Sequence, residues 1–163
     1  MTNAPLSTDL VLTRYSNVHE FAAVVTPAMT ANEAANCLQL GLLSGMLQGQ
    51  FVEPYLATVA PAKRAGEPSL SVMQTPPYRL ILGEPSADAP DLGPLVKPLL
   101  HTLPADLPGV LGPVEVTGYF VRRYSELHGV GHTLVMSERV HQCERVTMPQ
   151  ATRTPVRGRQ MRR

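Results

Sequence analysis

The stretch "PYLATVAPAKRAGEPSLSVMQTPPYRLIL", residues 54–82, predicts the centre of a β-sheet. Its two apolar runs, Pro54–Ala60 and Ser69–Thr75, are separated by a polar turn that contains Gly66, which is the pattern of a β-hairpin. Two adjacent prolines then interrupt main-chain hydrogen bonding before a third apolar run, Tyr78–Leu82. The stretch therefore predicts a hairpin followed by one further strand.

Extended and helical patterns alternate on the N-terminal side of this hairpin. "LVLTRY", residues 10–15, predicts a first strand. Asn17, followed three residues later by an acid, predicts the start of a helix. The same pattern at Thr30 and Glu33 predicts the start of a second, longer helix that ends near Gln48.

The second predicted helix has an apolar face and two internal glycines. The face is predicted from apolar residues spaced three or four positions apart: Ala35, Leu38, Leu42 and Met46. Gly41 and Gly45 each cost about 1 kcal/mol of helix stability relative to alanine. We therefore expect the helix to approach a sheet or another helix closely at these glycines.

The patterns on the C-terminal side of the hairpin alternate in the same way. Residues 92–103 are apolar and helix-like, and a short extended piece follows in a proline-rich loop. Val116–His128 predicts a helix that stops at Gly129–Gly131, and His132–Val146 predicts the last and longest strand. Together these elements predict an α+β fold with a mixed, mostly antiparallel sheet flanked by helices.

The charges of the chain are distributed unevenly. The 163 residues are 44% apolar, as expected for one globular domain, and carry a net charge of +1. Residues 150–163 contain five arginines and no acid, so the rest of the chain has nine basic and thirteen acidic side chains. A basic tail is typical of a nucleic-acid-binding or membrane-surface arm, or of a solvated linker. Nucleic-acid binding is disfavoured, because the rest of the chain does not extend the basic patch and the chain has no Trp.

The two cysteines and the apolar segments indicate where the protein resides. Cys37 and Cys143 form no CxxC motif, so we expect reduced, buried thiols in a cytoplasmic protein. The N-terminus lacks the basic and apolar regions of a signal peptide. The longest apolar segment, residues 37–47, is too short and too polar to span a bilayer, so no membrane partner is expected.

The histidines do not predict a metal site. His128 and His132 have the i,i+4 spacing of helical ligands, and His141 follows. Gly129 and Gly131 interrupt the helix that would present the first two, and no acid or cysteine is spaced to complete a set of ligands. A nucleophile motif of the GxSxG type is also absent from the sequence. Metal-ligating and nucleophilic residues are therefore not predicted.

Five stretches of the chain occur in an order typical of one protein family: "EAANCLQLGLL", "PYLATV", "TPPYRLIL", "PGVLGP" and "SERVHQCERV", followed by Pro149. Together they resemble the N-terminal half of a group of bacterial two-part GNAT N-acetyltransferases. The resemblance covers about residues 10–149, and "TPPYRLIL" and "PGVLGP" are its most specific motifs.

The resemblance implies a division of the chain and a place for it in a larger enzyme. In that family the N-terminal part is a degenerate GNAT-type α+β module, and a second GNAT module carries the acetyl-CoA turn. Residues 1–9 would be a loose leader and residues 10–149 the single module. Residues 150–163 resemble the basic, proline-containing linker between the modules. The chain thus resembles a protein truncated before its second, acetyl-CoA-binding module.

Two segments of the chain are candidates for the turn by which GNAT enzymes bind the pyrophosphate of coenzyme A. In that fold the turn follows the fourth strand, and Tyr78–Leu82 is the strand that fits this position. The next segment, Gly83–Asp91, contains two prolines without an N–H group and three acids that repel phosphate. "ELHGVG", residues 126–131, has Glu126 in place of the expected Arg or Gln and follows a helix, so it is interpreted as a helix stop. No cofactor-binding residue is therefore predicted.

Three functions remain open at this point. The first is a GNAT-related module that is not catalytic alone, binds no cofactor by itself, and supports an acetyl-CoA-dependent amine acetyltransferase. Its partner would be a catalytic GNAT module or another copy of the chain. The second is an active N-acetyltransferase that holds acetyl-CoA in an atypical turn, with an acid or base among Glu33, Tyr78, Tyr124 and His128. The third is a nucleic-acid binder that acts through the basic tail.

Overall fold

The computed structural model describes residues 9–64, 66–143, 145 and 147. The basic tail, residues 150–163, and residues 1–8 of the predicted leader lie outside the described residues. The division of the chain into leader, module and tail therefore stays a prediction.

Five strands and four α-helices form the described part of the chain. The strands are β1 (Leu10–Tyr15), β2 (Tyr55–Pro61), β3 (Leu70–Gln74), β4 (Leu80–Leu82) and β5 (Val110–Leu111). The helices are α1 (Val18–Ala31), α2 (Cys37–Leu47), α3 (Leu92–Leu100) and α4 (Val114–His128), with a 3-10 turn at Ala62–Arg64. The strands lie in the order β1-β2-β3-β4-β5; the first three pairings are antiparallel, and β4 and β5 are parallel.

The predicted fold class is confirmed. The structure is α+β with a mostly antiparallel sheet and helices packed against it, an arrangement consistent with a GNAT-like mixed fold. The predicted hairpin is β2 and β3, with Tyr55 opposite Gln74 and Val59 opposite Leu70. The strand predicted after the two prolines is β4, and the short extended piece is β5.

The sheet separates two apolar cores. One core contains side chains of α3 and α4, and the other contains side chains of α1 and α2. Successive residues of β2 alternate between them, because Ala57 and Val59 belong to the first core and Leu56 to the second. The central strands are therefore buried on both faces, which explains why their sequences are continuously apolar.

The predicted start of the second helix is wrong. Thr30 lies inside α1, where its hydroxyl donates to the Thr26 carbonyl at 2.8 Å, and α2 begins only at Cys37. A threonine hydroxyl bonds equally well to a carbonyl four residues earlier, so a capping pattern does not exclude a helix interior. The capping residue predicted for α1 is confirmed, because Asn17 accepts a hydrogen bond from the His19 N–H at 2.8 Å.

The predicted buried face of the second helix is also largely wrong. Leu38 is 50% exposed, whereas the residues of α2 that lie buried are Gln39, Leu43, Gly45 and Met46. Apolar residues occur all around α2, so their spacing does not select one face. Cys37 and Cys143, which were expected to be buried, are both exposed.

The two glycines of α2 differ in their surroundings. A Cβ at Gly45 would lie 2.8 Å from both Gln50 Oε1 and Phe51 Cε2, so a close contact exists there, but it is with the loop after the helix and not with the predicted sheet or second helix. A Cβ at Gly41 would meet no atom within 4 Å, so the same prediction is wrong for Gly41.

Alanine substitutions at these glycines should change stability in opposite directions. Gly41→Ala should raise the free energy of unfolding by about 0.5–1 kcal/mol, because alanine favours a helix and the added methyl meets open space. Gly45→Ala should lower it by about 1–3 kcal/mol, because the methyl displaces Phe51. Urea unfolding measures both values. A similar effect at the two positions would contradict the described packing of the loop on α2.

The end of α4 was predicted correctly, but the strand after it was not. Gly129 closes α4 in the left-handed conformation, with φ of 66°, as expected for a helix stop. Residues 132–143 form no strand and are exposed along their whole length. The alternating pattern identified a segment suited to a strand, but a strand also needs a neighbouring edge to pair with.

Candidate functional site

The turn between β4 and α3, residues 83–91, lies where the GNAT resemblance implies a pyrophosphate site. Four of its N–H groups donate to acceptors within the protein at 2.9–3.3 Å: Gly83 to the Ser71 carbonyl, Glu84 to the Asn36 side chain, Ser86 to the Ser69 carbonyl and Ala89 to the Ser86 carbonyl. Pro85 and Pro90 have no N–H group to add. The turn therefore uses four of its seven N–H groups for its own attachment, and N–H groups are what a pyrophosphate would need there.

The side chains of the same turn make it acidic. Asp88 accepts hydrogen bonds from the Ser86 hydroxyl at 2.8 Å and from Arg64 at 3.0 Å, and these bonds lower the pKa of Asp88. Arg64 also lies 3.1 Å from Glu67, so its charge is shared between two carboxylates. Glu84 is exposed and adds another negative charge. The electric field around this turn therefore opposes the approach of a phosphate.

A buried polar network fixes the end of β4 beside the turn. The Ser71 hydroxyl donates to Gln39 Oε1 at 2.9 Å, and Gln39 Nε2 donates to the Ile81 carbonyl at 3.4 Å. A Cβ at Gly83 would lie 2.2 Å from Ser71 Oγ and 2.7 Å from Gln39 Oε1, so the network leaves room only for glycine. Sequence reasoning missed this network. The feature of the sequence that could have indicated a buried polar network is the presence of two amide side chains, Asn36 and Gln39, in an otherwise apolar stretch.

A cleft of about 470 Å³ opens beside the turn, next to the C-terminal end of α1. Val25 and Met29 contribute to its apolar wall, and Asn32 and Asn36 add amides. Glu84 is its one charged residue among the described residues that line it. The cleft has the volume of a small-ligand site, but its charge does not suit an anionic cofactor.

A second cleft, of about 370 Å³, lies between α3 and α4. Lys97 and Arg123 line it, so it presents cationic groups that the turn itself lacks. Arg123 already pairs with Glu126, with 2.5 Å between Nη1 and Oε2. The charge of Arg123 is thus partly neutralised within α4.

The four candidate acids and bases do not form one site. Glu33 is exposed in the connection between α1 and α2, and Tyr78 is 68% exposed in the turn between β3 and β4. Tyr124 and His128 belong to α4, which packs on the other face of the sheet from α1 and α2. A general acid or base must lie within hydrogen-bond reach of the reacting group, so the four residues cannot serve one reaction centre.

Tyr124 and His128 are the one candidate pair that the structure brings together. Their ring centroids lie 4.4 Å apart. The Tyr124 hydroxyl donates to the Pro104 carbonyl and accepts from the Leu107 N–H at 3.3 Å, so it holds the loop after α3. A hydroxyl that both donates and accepts a hydrogen bond within the protein is a structural group rather than a free acid.

The remaining histidines and cysteines are dispersed. His132 Nδ1 lies 2.8 Å from the Ser125 hydroxyl, and His141 is exposed further along the chain. In residues 9–64 and 66–143, with 145 and 147, no three side chains of His, Cys, Asp or Glu are grouped so that they could hold a metal ion.

An exposed apolar stretch follows α4. We call residues 132–143 the C-terminal segment. Leu134 is 81% exposed, Val135 73%, Met136 47% and Val140 60%, an unusual density of exposed apolar side chains for twelve consecutive residues. This stretch is the part of the described chain best suited to contact another protein surface.

No helix within the described ranges combines the length and the apolar character needed to cross a bilayer. No protein-family model, curated protein or solved structure matches the chain.

Proposed function

We propose that this chain is a GNAT-related module that is not catalytic by itself and that supports an acetyl-CoA-dependent amine acetyltransferase by packing on a catalytic module. The observation that carries the proposal is the turn of residues 83–91. Its position after β4 fits a GNAT pyrophosphate turn, but four of its seven N–H groups are bonded within the protein and its charged side chains are acidic. A module with this turn has kept the scaffold of the fold without the means to hold the cofactor.

The positions of the candidate acids and bases support the same proposal. Glu33 and Tyr78 are exposed in separate connections, and the Tyr124 hydroxyl is engaged in holding a loop. Because these candidates do not converge within the described residues, the chain would contribute to catalysis by shaping a partner's site instead of by reacting. Its role would be to form the acceptor side of the partner's active site.

The outer side of α2 suits such a partner. There Leu38 and Leu47 are 50% and 41% exposed, and Gly41 leaves the helix backbone open. Exposed apolar groups of this kind are typical of surfaces that become buried in a complex.

The test is a calorimetric titration of acetyl-CoA into the full chain. We expect no saturable heat at ligand concentrations up to about 1 mM, which corresponds to a binding free energy weaker than about −4 kcal/mol. Inorganic pyrophosphate, titrated at low and high salt, is the control for non-specific attraction to the five arginines of the tail, because such attraction is screened by salt.

Binding of acetyl-CoA with a micromolar dissociation constant would overturn the proposal. The cleft between α3 and α4 would then be the first place to look for the ligand. Lys97→Glu should abolish that binding if this cleft is the site, whereas Glu84→Gln should strengthen it if the turn is the site.

A further inference from the structure

The described sheet has one long free edge. β1 is six residues long, and within the described residues it pairs only with β2. Leu10 and Leu12 are half-buried against the first core, and Val11 is 46% exposed. An apolar edge of this length is a template for another strand.

The opposite edge strand, β5, is a poorer template. It has two residues and is flanked by Gly109 and Gly112, both with positive φ.

The C-terminal segment contains a stretch that matches β1 residue by residue. When "LVMSER", residues 134–139, is placed parallel to "LVLTRY", residues 10–15, the first three positions pair apolar side chains with apolar side chains. Leu134 lies beside Leu10, Val135 beside Val11 and Met136 beside Leu12. In the second half Ser137 lies beside Thr13, Glu138 beside Arg14 and Arg139 beside Tyr15. These six pairs are apolar, hydroxyl, opposite-charge and cation–aromatic pairs, all of which stabilise neighbouring strands.

This register also places the apolar side chains correctly with respect to the core. Leu10 and Leu12 face the core that contains α3 and α4. Leu134 and Met136 would extend that core by one strand, because side chains in the same register of neighbouring strands share a face. Leu134 is 81% exposed without this pairing, so burial of its side chain favours the added strand.

The segment is badly placed for a parallel pairing with β1 of its own chain. Val130 N–H donates to the Ser125 carbonyl at 3.2 Å, and His132 Nδ1 lies 2.8 Å from the Ser125 hydroxyl, so the chain is held to the last turn of α4 as far as His132. Tyr124 binds the loop that leads into β5, so this end of α4 lies near the start of β5. β1 and β5 run in opposite directions, so a strand parallel to β1 would have to start at the other end of the sheet, and Thr133, which spans about 3.5 Å, is the one residue between His132 and Leu134.

We propose that Leu134–Arg139 of one copy of this chain pairs in parallel with β1 of a second copy, and that the exchange is reciprocal. Each chain carries both the free edge and the matching strand, so a two-fold dimer uses both parts of both chains and leaves neither exposed. The two added strands and the two edges give the dimer two separate contacts related by symmetry. The inference does not depend on the acetyltransferase relationship.

The first measurement is the mass of the full chain in solution. Sedimentation equilibrium should give twice the chain mass of 17.7 kDa at micromolar concentration. Hydrogen exchange, measured at high and low protein concentration, should show protection of residues 134–139 and 10–15 that is lost on dilution. A single-chain mass would overturn the proposal, and so would protection of the segment that does not change with concentration.

A charge exchange tests the register. Arg14→Glu and Glu138→Arg each replace an attractive pair by a repulsive one at both symmetric contacts, so each should weaken dimerisation about tenfold or more. The double variant restores an attractive pair and should recover most of the affinity. Glu33→Arg, which changes the net charge by the same amount and sign as Glu138→Arg at an exposed position outside both strands, is the control. Failure of the double variant to dimerise better than either single variant would overturn the pairing.

A disulfide tests the direction of the added strand. In a chain whose native cysteines are replaced by serine, V11C/V135C should form an intermolecular disulfide, since neighbouring strands lie about 4.8 Å apart. An antiparallel strand that keeps Glu138 beside Arg14 would instead place His141 beside Val11. Preferential cross-linking of V11C/H141C would overturn the parallel register.

The substituted side chains lie at the surface or at the edge of the described sheet. Circular dichroism is therefore expected to show an intact fold for every variant.

Discussion

Phe120→Ala should lower the free energy of unfolding by about 3–5 kcal/mol, the largest effect expected of any substitution considered for this protein. Phe120 is completely buried in the core that contains α3 and α4, and its ring stacks on Tyr124 with 5.6 Å between centroids. Removing the ring leaves a cavity between α4 and the sheet and also removes the stacking contact. A domain of this size has a total stability of about 5–15 kcal/mol, so the loss is a large fraction of it.

Chemical denaturation followed by circular dichroism measures this value. Val114→Ala is the matched control, because Val114 lies in the same helix but is 83% exposed, and its effect should stay within about 0.5 kcal/mol. A loss below about 1 kcal/mol for Phe120→Ala would mean that α4 does not cover the sheet as described.

Gly112→Ala should lower the free energy of unfolding by about 2–5 kcal/mol. Gly112 has a φ of 152°, which strains any residue with a side chain. An added Cβ would also lie 2.6 Å from the Leu82 carbonyl oxygen, a backbone atom of β4 that cannot rotate away. Backbone strain and overpacking each cost about 1–3 kcal/mol, and here both apply. The parallel pairing of β5 with β4 should be the first part of the sheet to be lost.

The control for this substitution is Gly131→Ala. A Cβ at Gly131 would meet no atom within 4 Å, so the unfolding midpoint in urea should be almost unchanged. Hydrogen exchange at Leu80 and Leu111 reports on the β4–β5 pairing directly. Equal effects of the two glycine substitutions would show that β5 does not lie against β4.

Local chemistry explains which elements could be predicted from the sequence. The hairpin of β2 and β3 was predicted because two apolar runs flank a polar turn, and the end of α4 was predicted because Gly129 favours the left-handed conformation. The start of α2 was not predicted correctly, because the Thr30 hydroxyl donates to the Thr26 carbonyl inside α1 instead of capping a new helix. The exposure of Cys37 was not predicted either, because apolar residues surround α2 and only packing selects its buried face.

The candidate site shows the same division. The prolines and acids of residues 83–91 are visible in the sequence, and they alone argue against a phosphate site. The sequence does not show that Ser71 and Asn36 accept hydrogen bonds from this turn, since these residues lie twelve and forty-eight positions from their donors. Only the folded arrangement reveals that four N–H donors of the turn are already used.

The sequence by itself determined the α+β class, the central hairpin and the acidic character of the turn after β4, because each follows from residues close together in the chain. The tertiary structure decided which face of α2 is buried, and it separated Glu33 from Tyr124. It also left residues 132–143 exposed although their pattern suits a strand. Packing, hydrogen bonding and strand pairing join residues that are distant in sequence, and local patterns carry no information about which of those partners will meet.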